Sequence, residues 1–473
     1  MNVLPRKPLL PLVAALAIAL CASCVPADPT PLPTHEGASP SIVFHGGRVI
    51  TMEPDMPRAE AIAVRDDEIV AVGSSEQILA LAGPSTRVVD LQGRALLPGF
   101  IDAHTHLFSE AIRTGSPSLH EVQDYALRLG ITAMADMSVE PPVLAIIRDF
   151  HDAGEMRIRT GVYPSYNLHC GEILGHWYAD LPPERDPDLM LRVLGVKVFT
   201  DGWTCDLLPA FSFELRDAPD AESSQGHLIV GPDELARVLS ELDAMGYQAV
   251  VHALGDRAVE NALDAIESVL GGAPNNLRHR IEHNMFIRPE LMVRYGETGA
   301  VPVIWGSEAC FIRNTSHRDS EGRLTHRWGG PESHPWINAW QSLLDANPGL
   351  PVAFHSDMSW GEPGPVANLY SLTTRNEVFS DFWPICEAPE WLRHEAIDIE
   401  EALRVMTTGA AYSLHMEERT GSLKPGKLAD LIVLSDDPLE IDPESLLSVE
   451  VLVTMVGGQV EHCAPQAESL CPG

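Results

Sequence analysis

The chain reads Leu96-Leu97-Pro98-Gly99-Phe100-Ile101-Asp102-Ala103-His104-Thr105-His106, an apolar run that ends on two histidines. Residues two apart in a β-strand point to the same face, so the imidazoles of His104 and His106 are aimed at one point. Two converging imidazoles at a strand end suit a divalent metal ion. A His-x-His pair alone is more often a surface coincidence, so this interpretation depends on further ligands elsewhere in the chain.

Polar residues also close four later apolar runs. They are Lys197 in Gly195-Val-Lys-Val-Phe, His252 in Val251-His-Ala, His283 in Arg280-Ile-Glu-His, and Asp357 in Phe354-His-Ser-Asp. A lysine in an apolar strand is costly to bury as a cation, and its neutral amine can take up carbon dioxide to become a carbamate, which ligates metals as a carboxylate does. The alternative for Lys197 is a structural ion pair with Asp201.

Strand-like and helix-like segments alternate between residues 96 and 414. Gly231-Pro232, for example, begins a segment with apolar residues at helical spacing, and the run from Gln248 to His252 then reads as a buried strand. Eight strands are predicted, near 96–105, 131–137, 158–165, 194–200, 248–253, 278–284, 301–306 and 351–357. This pattern predicts an α/β fold, a (β/α)₈ TIM-like barrel, whose strand ends would bring the polar residues to one mouth.

The two ends of the folded chain share a different character. Residues 41–95 and 415–462 consist of short β-rich runs separated by Gly and Asp turns. We expect them to form one small β-sandwich domain built from both chain ends, with residues 96–414 as the barrel and 463–473 as a C-terminal tail.

Residues 1–24 have the pattern of an export signal. Two basic residues precede the uncharged apolar run Leu9–Leu20, and small residues follow it. Cleavage before Cys24 would leave a lipid-anchored bacterial lipoprotein, although Cys21 stands where a leucine is usual. The alternative is cleavage near Ala27, which releases the protein. Either route predicts an exported protein, periplasmic or at the outer surface.

Charge and composition restrict the partners. The chain carries 67 acidic against 32 basic residues, a formal net charge of −35. Such a body repels phosphate backbones and anionic lipid, so we expect a small-molecule substrate, no nucleic acid, and membrane contact only through an anchor at Cys24. Residues 25–40, rich in Pro, Thr, Ser and Ala, are predicted to be a disordered tether.

Eight cysteines occur, two of them in the leader, and the remaining six are not at the spacing of a zinc finger. Cys463 and Cys471 are close enough in sequence to close a small loop in an oxidising compartment. The other four, Cys170, Cys205, Cys310 and Cys386, are expected to be buried or loop thiols.

Together these motifs resemble the amidohydrolase superfamily, in particular its amidohydrolase-3 branch with the N-substituted formamide deformylases and related exported hydrolases. The resemblance covers residues 41–462 and includes Gly421-Ser-Leu-Lys-Pro-Gly-Lys in addition to the motifs above. It implies one or two divalent ions, with Zn²⁺ the expected one, and N6-carboxylation of Lys197. The implied ligands are His104, His106, Lys197, His252, His283 and Asp357.

The resemblance also implies an activity, hydrolysis of a non-peptide carbon–nitrogen bond in an amide or cyclic amide by a metal-activated water. Asp357 would accept a proton from that water and pass it to the leaving amine. Two alternatives stay open. The same ligands would serve an ester, lactone or phosphoester hydrolase, or the chain is a non-catalytic ligand-binding lipoprotein, against which the retention of all six residues argues.

Two features depart from the branch. Only residues 107–130 separate the His-x-His run from the second strand, where relatives have a long insert, so their substrate specificity cannot be transferred. His355 stands where a glycine is usual before Ser-Asp and shares a strand face with Asp357. Substrate contact or metal ligation is one role for His355. We favour a hydrogen-bonded histidine packed in the barrel mouth and leave it out of the ligand set.

Overall fold

The computed structural model describes residues 39–471, apart from 203, 204, 206, 216–223, 308, 311, 313–315, 319–323, 327–333 and 379–384. The predicted signal segment, 1–24, and nearly all of the predicted tether lie outside the described residues. Within the described residues, no helix combines the length and the apolar character that a bilayer crossing requires.

Eight parallel strands dominate the centre of the chain. They are β1 (Phe100–Thr105), β2 (Ile131–Val139), β3 (Arg159–Pro164), β4 (Gly195–Phe199), β5 (Gln248–Ala253), β6 (Arg280–His283), β7 (Val301–Ile304) and β8 (Ala353–Phe354). One sheet has the order Leu191–Val193, β3, β2, β1, and the other runs from β4 to β8 in sequence. All eight strands are buried at every residue, as expected for parallel sheets covered on both faces. The predicted parallel α/β architecture is confirmed.

Backbone hydrogen bonds connect segments of the two sheets at two places. After β3, the amide of Tyr166 donates to the carbonyl of Lys197 in β4 over 2.9 Å. After β8, the amide of Asp357 donates to the carbonyl of His104 in β1 over 3.0 Å. Both bonds lie near the carboxyl ends of the strands, so neighbouring strand ends are held together there.

The helices follow the strands as the periodicity predicts. Pro232–Ala244 begins with proline after Gly231, where the missing amide costs nothing, and it buries Leu235, Val238, Leu239 and Leu242. The helices are Ser75–Leu79, Leu107–Thr114, Leu119–Arg128, Pro141–Asp152, Pro232–Ala244, Asp256–Leu270, Pro289–Thr298, Trp340–Ala346, Pro365–Thr374, Glu390–Arg393, Ile399–Arg404 and Ala410–Ser413. His334–Trp336, Pro443–Ser448 and Pro465–Leu470 are 3₁₀-helices, and Val405–Gly409 is a π-helical segment.

The chain ends supply two further sheets that share one apolar cluster. The four-stranded sheet has the order Glu68–Gly73, Ala61–Arg65, Ile42–His45, Arg87–Asp90. The six-stranded sheet has the order Gln459–Cys463, Val451–Val456, Leu431–Leu434, Ala95–Pro98, Arg48–Ile50, Arg58–Ala59. The expected tail adds Ala464, Ala467 and Leu470 to the shared cluster. A separate hairpin pairs Ser316–Arg318 with Leu324–His326.

The prediction of one strand over residues 96–105 is wrong at its start. Ala95–Pro98 pairs antiparallel with Leu431–Leu434 in the six-stranded sheet, and β1 begins only at Phe100. Gly99 permits the change of sheet, because a Cβ at this position would lie 2.1 Å from Oγ1 of Thr132.

A buried ion pair connects the terminal sheets to the parallel sheets. Nε of Arg159, at the start of β3, lies 2.7 Å from Oδ2 of Asp430, and both side chains are almost completely buried. Asp430 also accepts the amide of Gly457 over 2.7 Å. Removing one partner of such a pair typically costs about 3–5 kcal/mol, so the two parts of the fold are firmly coupled.

Six cysteines form three disulfides, Cys170–Cys205, Cys310–Cys386 and Cys463–Cys471. Their Cα–Cα distances are 5.7, 5.0 and 6.1 Å, all within the usual range. The predicted Cys463–Cys471 loop is confirmed, and the expectation of thiols at the other four positions is wrong. The first disulfide joins the loops after β3 and β4, which are distant in sequence but adjacent in the fold.

Candidate active site

The structure brings the predicted residues together at the carboxyl ends of the strands. Nε2 of His104 lies 3.1 Å from Oδ1 of Asp357, and Nε2 of His106 lies 3.3 Å from the same oxygen. Nδ1 of His283 lies 4.0 Å from the second carboxylate oxygen. His104 is completely buried, whereas the side chains of His106 and Asp357 keep 24% and 31% of their surface exposed. The Asp357 carboxylate is therefore the centre of the cluster, and its side chain is partly exposed although the Oδ1 that faces His104 and His106 is buried.

Lys197 and His252 adjoin this cluster. Nζ of Lys197 is 3.4 Å from Nε2 of His104, and the ring of His252 is 4.5 Å from that of His283. Burial lowers the pKa of Lys197 to about 8. Lys197 and Asp201 both lie in the described part of the chain, and no ion pair joins them. Asp201 instead accepts backbone amides, including that of Gly255 over 2.8 Å.

The sequence interpretation of His355 as a packed histidine with hydrogen bonds is wrong about the hydrogen bonds. The side chain is completely buried, but neither ring nitrogen has a hydrogen-bond partner among the described residues. One ligand atom from each of His104, His283, His355 and Asp357 lies within 4.8 Å of the others. His355 therefore belongs to the cluster from which sequence reasoning had left it out.

Glu282 determines which nitrogen of His104 carries the proton. Its Oε2 lies 2.7 Å from Nδ1 of His104, and its other oxygen lies 3.0 Å from Nε of Arg280. Burial would raise the pKa of Glu282, but Arg280 and His104 outweigh burial and lower that pKa to about 2. An ionised Glu282 accepts a hydrogen bond from the Nδ1–H of His104, so the lone pair of Nε2 is directed at Asp357.

These residues fit a cation. The Nε2 lone pair of His104 and Oδ1 of Asp357 are two acceptors 3.1 Å apart. Burial lowers the pKa values of His104, His252 and His283, which keeps their rings neutral as metal ligation requires. Within the described residues, Nδ1 of His283 and Oδ1 of Asp357 make no hydrogen bond, whereas Nε2 of His252 lies 3.5 Å from Oδ1 of Asp201. Buried acceptors without donors are rare, and an ion between them would satisfy them.

Two buried aspartates, which sequence reasoning missed, hold the ligands in place. Asp102 accepts the backbone amides of His104 and Ser356, over 3.2 and 3.1 Å, and so ties β1 to the end of β8. Asp136 accepts the amides of Phe108 and Ser109 and caps the helix that follows His106. Burial raises their pKa values, to about 7 and about 6. Acidic residues inside apolar strands were the available indication in the sequence.

Left-handed backbone occurs at two of the ligand positions. His283 has φ 71° and Asp357 has φ 57°, values that side-chain-bearing residues rarely adopt. Asn284, next to His283, has φ 55°. Such conformations cost about 1–3 kcal/mol each and cluster at functional sites, where the surrounding structure maintains them. Here they lie at the last residue of β6 and three residues beyond the end of β8.

A family model described as the amidohydrolase family matches residues 116–462, more than half of the chain. The chain therefore belongs to the amidohydrolase family, and it is an enzyme of the metal-dependent hydrolase type. The N-substituted formamide deformylase of Arthrobacter pascens is 25% identical over 73% of this chain and 59% of its own length. The imidazolonepropionase of Symbiobacterium thermophilum is 24% identical, over 83% and 90%. The sequence-based recognition of the family is confirmed.

The fold has solved counterparts. An uncharacterised metal-dependent hydrolase from Pyrococcus horikoshii OT3 superposes with a TM-score of 0.67 at 19% sequence identity. The match covers 85% of this chain and 99% of that one. At this identity the likeness shows a shared fold alone.

Replacing Glu282 with Gln should weaken metal binding by about 10–100-fold, because His104 loses the charged partner that fixes its proton on Nδ1. Chelator competition with Zn²⁺ measures the affinity. Glu417→Gln is the control, since it removes a carboxylate paired with Arg278 outside the cluster. Unchanged affinity in a folded Glu282→Gln variant would show that Glu282 does not orient His104.

Proposed function

We propose that this enzyme hydrolyses the carbon–nitrogen bond of a small amide or cyclic amide, using a divalent metal ion bound at the mouth of a closed barrel. The observation that carries the proposal is the Asp357 carboxylate, which faces three histidines at 3.1–4.0 Å in an amidohydrolase-family chain. The hydrogen bonds that join β3 to β4 and β8 to β1 support ring closure. The apolar cluster shared by the terminal sheets supports a small β-sandwich domain.

The proposed ligands are the six residues predicted from the sequence. They are His104, His106, Lys197, His252, His283 and Asp357. Lys197 would join as the N6-carboxylated form, since a buried amine with a lowered pKa can accept carbon dioxide. Imidazole and carboxylate donors suit Zn²⁺. When bound, the ion would supply Lewis acidity toward the substrate carbonyl and toward water.

Asp357 handles the protons in this proposal. Its Oδ1 faces Nε2 of His104 and Nε2 of His106 and makes no hydrogen bond within the described residues. The carboxylate is thus free to accept a proton from the attacking water and to donate it to the leaving nitrogen, which departs poorly as an anion. A cavity of about 200 Å³ lies beside Asp357, with Ser307, Met358 and Glu362 in its wall, and would admit a small substrate.

Similarity to the formamide deformylase supports a carbon–nitrogen bond as the target. Removal of a formyl group from an N-substituted formamide breaks such a bond. The match covers only 59% of that relative's length, and the interval at 107–130 is short. The substrate of the relative is therefore not carried over to this chain. Ester, lactone and phosphoester substrates would use the same proton transfers and are therefore outcomes of the substrate test.

Metal content tests the ion. The wild-type protein should contain about two equivalents of divalent metal per chain, as two-ion hydrolase sites do. Lys197→Ala and the double variant His104→Ala/His106→Ala should both lose metal, because they remove the proposed bridging and chelating ligands. Elemental analysis of the purified chain measures this. A metal-free wild type would contradict the proposed mechanism and leave only the fold.

Turnover tests the bond. Hydrolysis of at least one member of a panel of amides, cyclic amides, esters, lactones and phosphoesters is expected, with the best rate on an amide. Asp357→Asn should lower kcat by about 10²–10⁴-fold while keeping more of its metal than of its activity, because it removes the proton acceptor. Asp243→Asn is the control, a carboxylate that contacts His279 instead. Activity on esters alone would reject the amide assignment.

We further propose that the protein is exported and carries a lipid on Cys24. The charged and apolar pattern before Cys24 supports export. The three disulfides support an oxidising compartment, because cytosolic thiols are normally kept reduced.

Fractionation of expressing bacteria tests the anchor. Wild-type protein should remain with the envelope membranes and have the mass of a lipid-modified N-terminal cysteine, whereas Cys24→Ala should move to the soluble periplasmic fraction or remain unprocessed. A wild-type protein that is soluble in the periplasm and starts near residue 27 would support ordinary cleavage instead.

A further inference from the structure

We propose that His355 is an additional ligand of the metal ion, acting with His104, His283 and Asp357. In the amidohydrolase-3 branch a glycine is usual at this position, and a glycine has no side-chain nitrogen to bind a metal. The inference rests on the proposed function, because it requires that the site take up an ion.

The position of His355 in the fold aims its ring at the cluster. Its amide donates to the carbonyl of Ile304 over 2.8 Å, so the residue continues the line of β8. Its ring stacks on His104, with centroids 5.0 Å apart and planes 26° apart, and lies 4.9 Å from the ring of His283. His355 thus lies between two residues of the predicted ligand set.

The donor atoms already have spacings close to those around an ion. One atom from each of the four side chains lies within 4.8 Å of the other three. Ligands bound to zinc at about 2.0–2.1 Å are separated from one another by about 3–4 Å. Small side-chain rotations would therefore close the set around one ion, as three nitrogens and one oxygen.

Another buried histidine shows what a structural role requires. His279, directly before β6, is equally buried, and its Nδ1 accepts the amide of Ala249 over 3.0 Å. Its Nε2 lies 3.1 Å from Oδ1 of Asp243. His355 has no such partner among the described residues at either nitrogen. Packing against Trp305, whose ring lies 5.4 Å away, would be served equally well by a phenylalanine.

The added imidazole has a consequence for metal choice. A set of three nitrogens and one oxygen favours zinc and the late first-row metals over magnesium and calcium, which prefer oxygen. It also gives the ion near His104 and His283 a protein ligand that does not depend on carboxylation of Lys197. We therefore expect part of the bound metal to survive removal of bicarbonate, in contrast to a site bridged only by a carbamate.

Two substitutions at this position separate ligation from packing. His355→Phe keeps a stacked ring without donors, and His355→Gly removes the ring. Both should bind Zn²⁺ and Co²⁺ about 100-fold more weakly than wild type in chelator competition. Loss of a residue that only supports a ligand typically costs about 10–100-fold, and loss of a ligand should cost at least as much. The visible spectrum of bound Co²⁺ should also change. Trp305→Phe, which alters a neighbouring ring without removing a donor, should keep wild-type affinity and spectrum.

Chemical rescue of His355→Gly distinguishes the loss of a metal ligand from the loss of a packed ring. Free imidazole should restore Co²⁺ affinity and spectrum to His355→Gly, and benzene, which can only fill space, should not. Circular dichroism checks that each variant is folded. If His355→Phe is not folded, the metal affinity of His355→Gly decides between the two roles. Wild-type metal affinity in both variants would overturn His355 ligation while leaving the proposed function intact. A wild type that binds no ion would overturn the proposed function itself.

Discussion

A lone pair on Nε2 of His104 faces a carboxylate oxygen of Asp357 across 3.1 Å. Much of the surrounding structure holds these two atoms in this arrangement. Two acceptors at that distance repel each other unless a cation lies between them or a proton is shared. Sharing a proton between these two atoms is costly, because Glu282 holds the imidazole proton of His104 on Nδ1. Arg280 in turn keeps Glu282 ionised. The site thus has the electrostatics of a cation-binding centre before any ion is considered.

The backbone holds this arrangement rigidly because the contributing strands are hydrogen bonded to one another. Asp102 accepts amides from both β1 and the segment after β8, so His104 and Asp357 are fixed relative to each other by the same carboxylate. The buried Arg159–Asp430 pair fastens β3 to the terminal sheets, which limits relative movement of the two parts. Pre-organisation of this kind reduces the rearrangement needed when a ligand binds.

The sequence reveals those features that follow a period along the chain. His104 and His106 share a face because strand residues alternate, and the apolar runs around Lys197, His252 and His283 allowed these residues to be placed on strands. Features that depend on neighbours across the fold could not be inferred. The linear pattern does not show that β1 begins only after Gly99 or that Asp102 bridges two strands. His355 was misjudged because its lack of a hydrogen-bond partner is a property of the folded environment.

The rim of the site also follows from this topology. Residues 107–130 form two helices, Leu107–Thr114 and Leu119–Arg128, and Asp136 in β2 caps the first of them. This interval therefore holds His106 in place, and little of it is left to form a lid. Disulfides instead join the loops after β3 and β4, and the segments after β7 and β8. Because cross-linked loops have fewer conformations to lose on binding, these two disulfides reduce the ordering cost of any ligand that those segments hold.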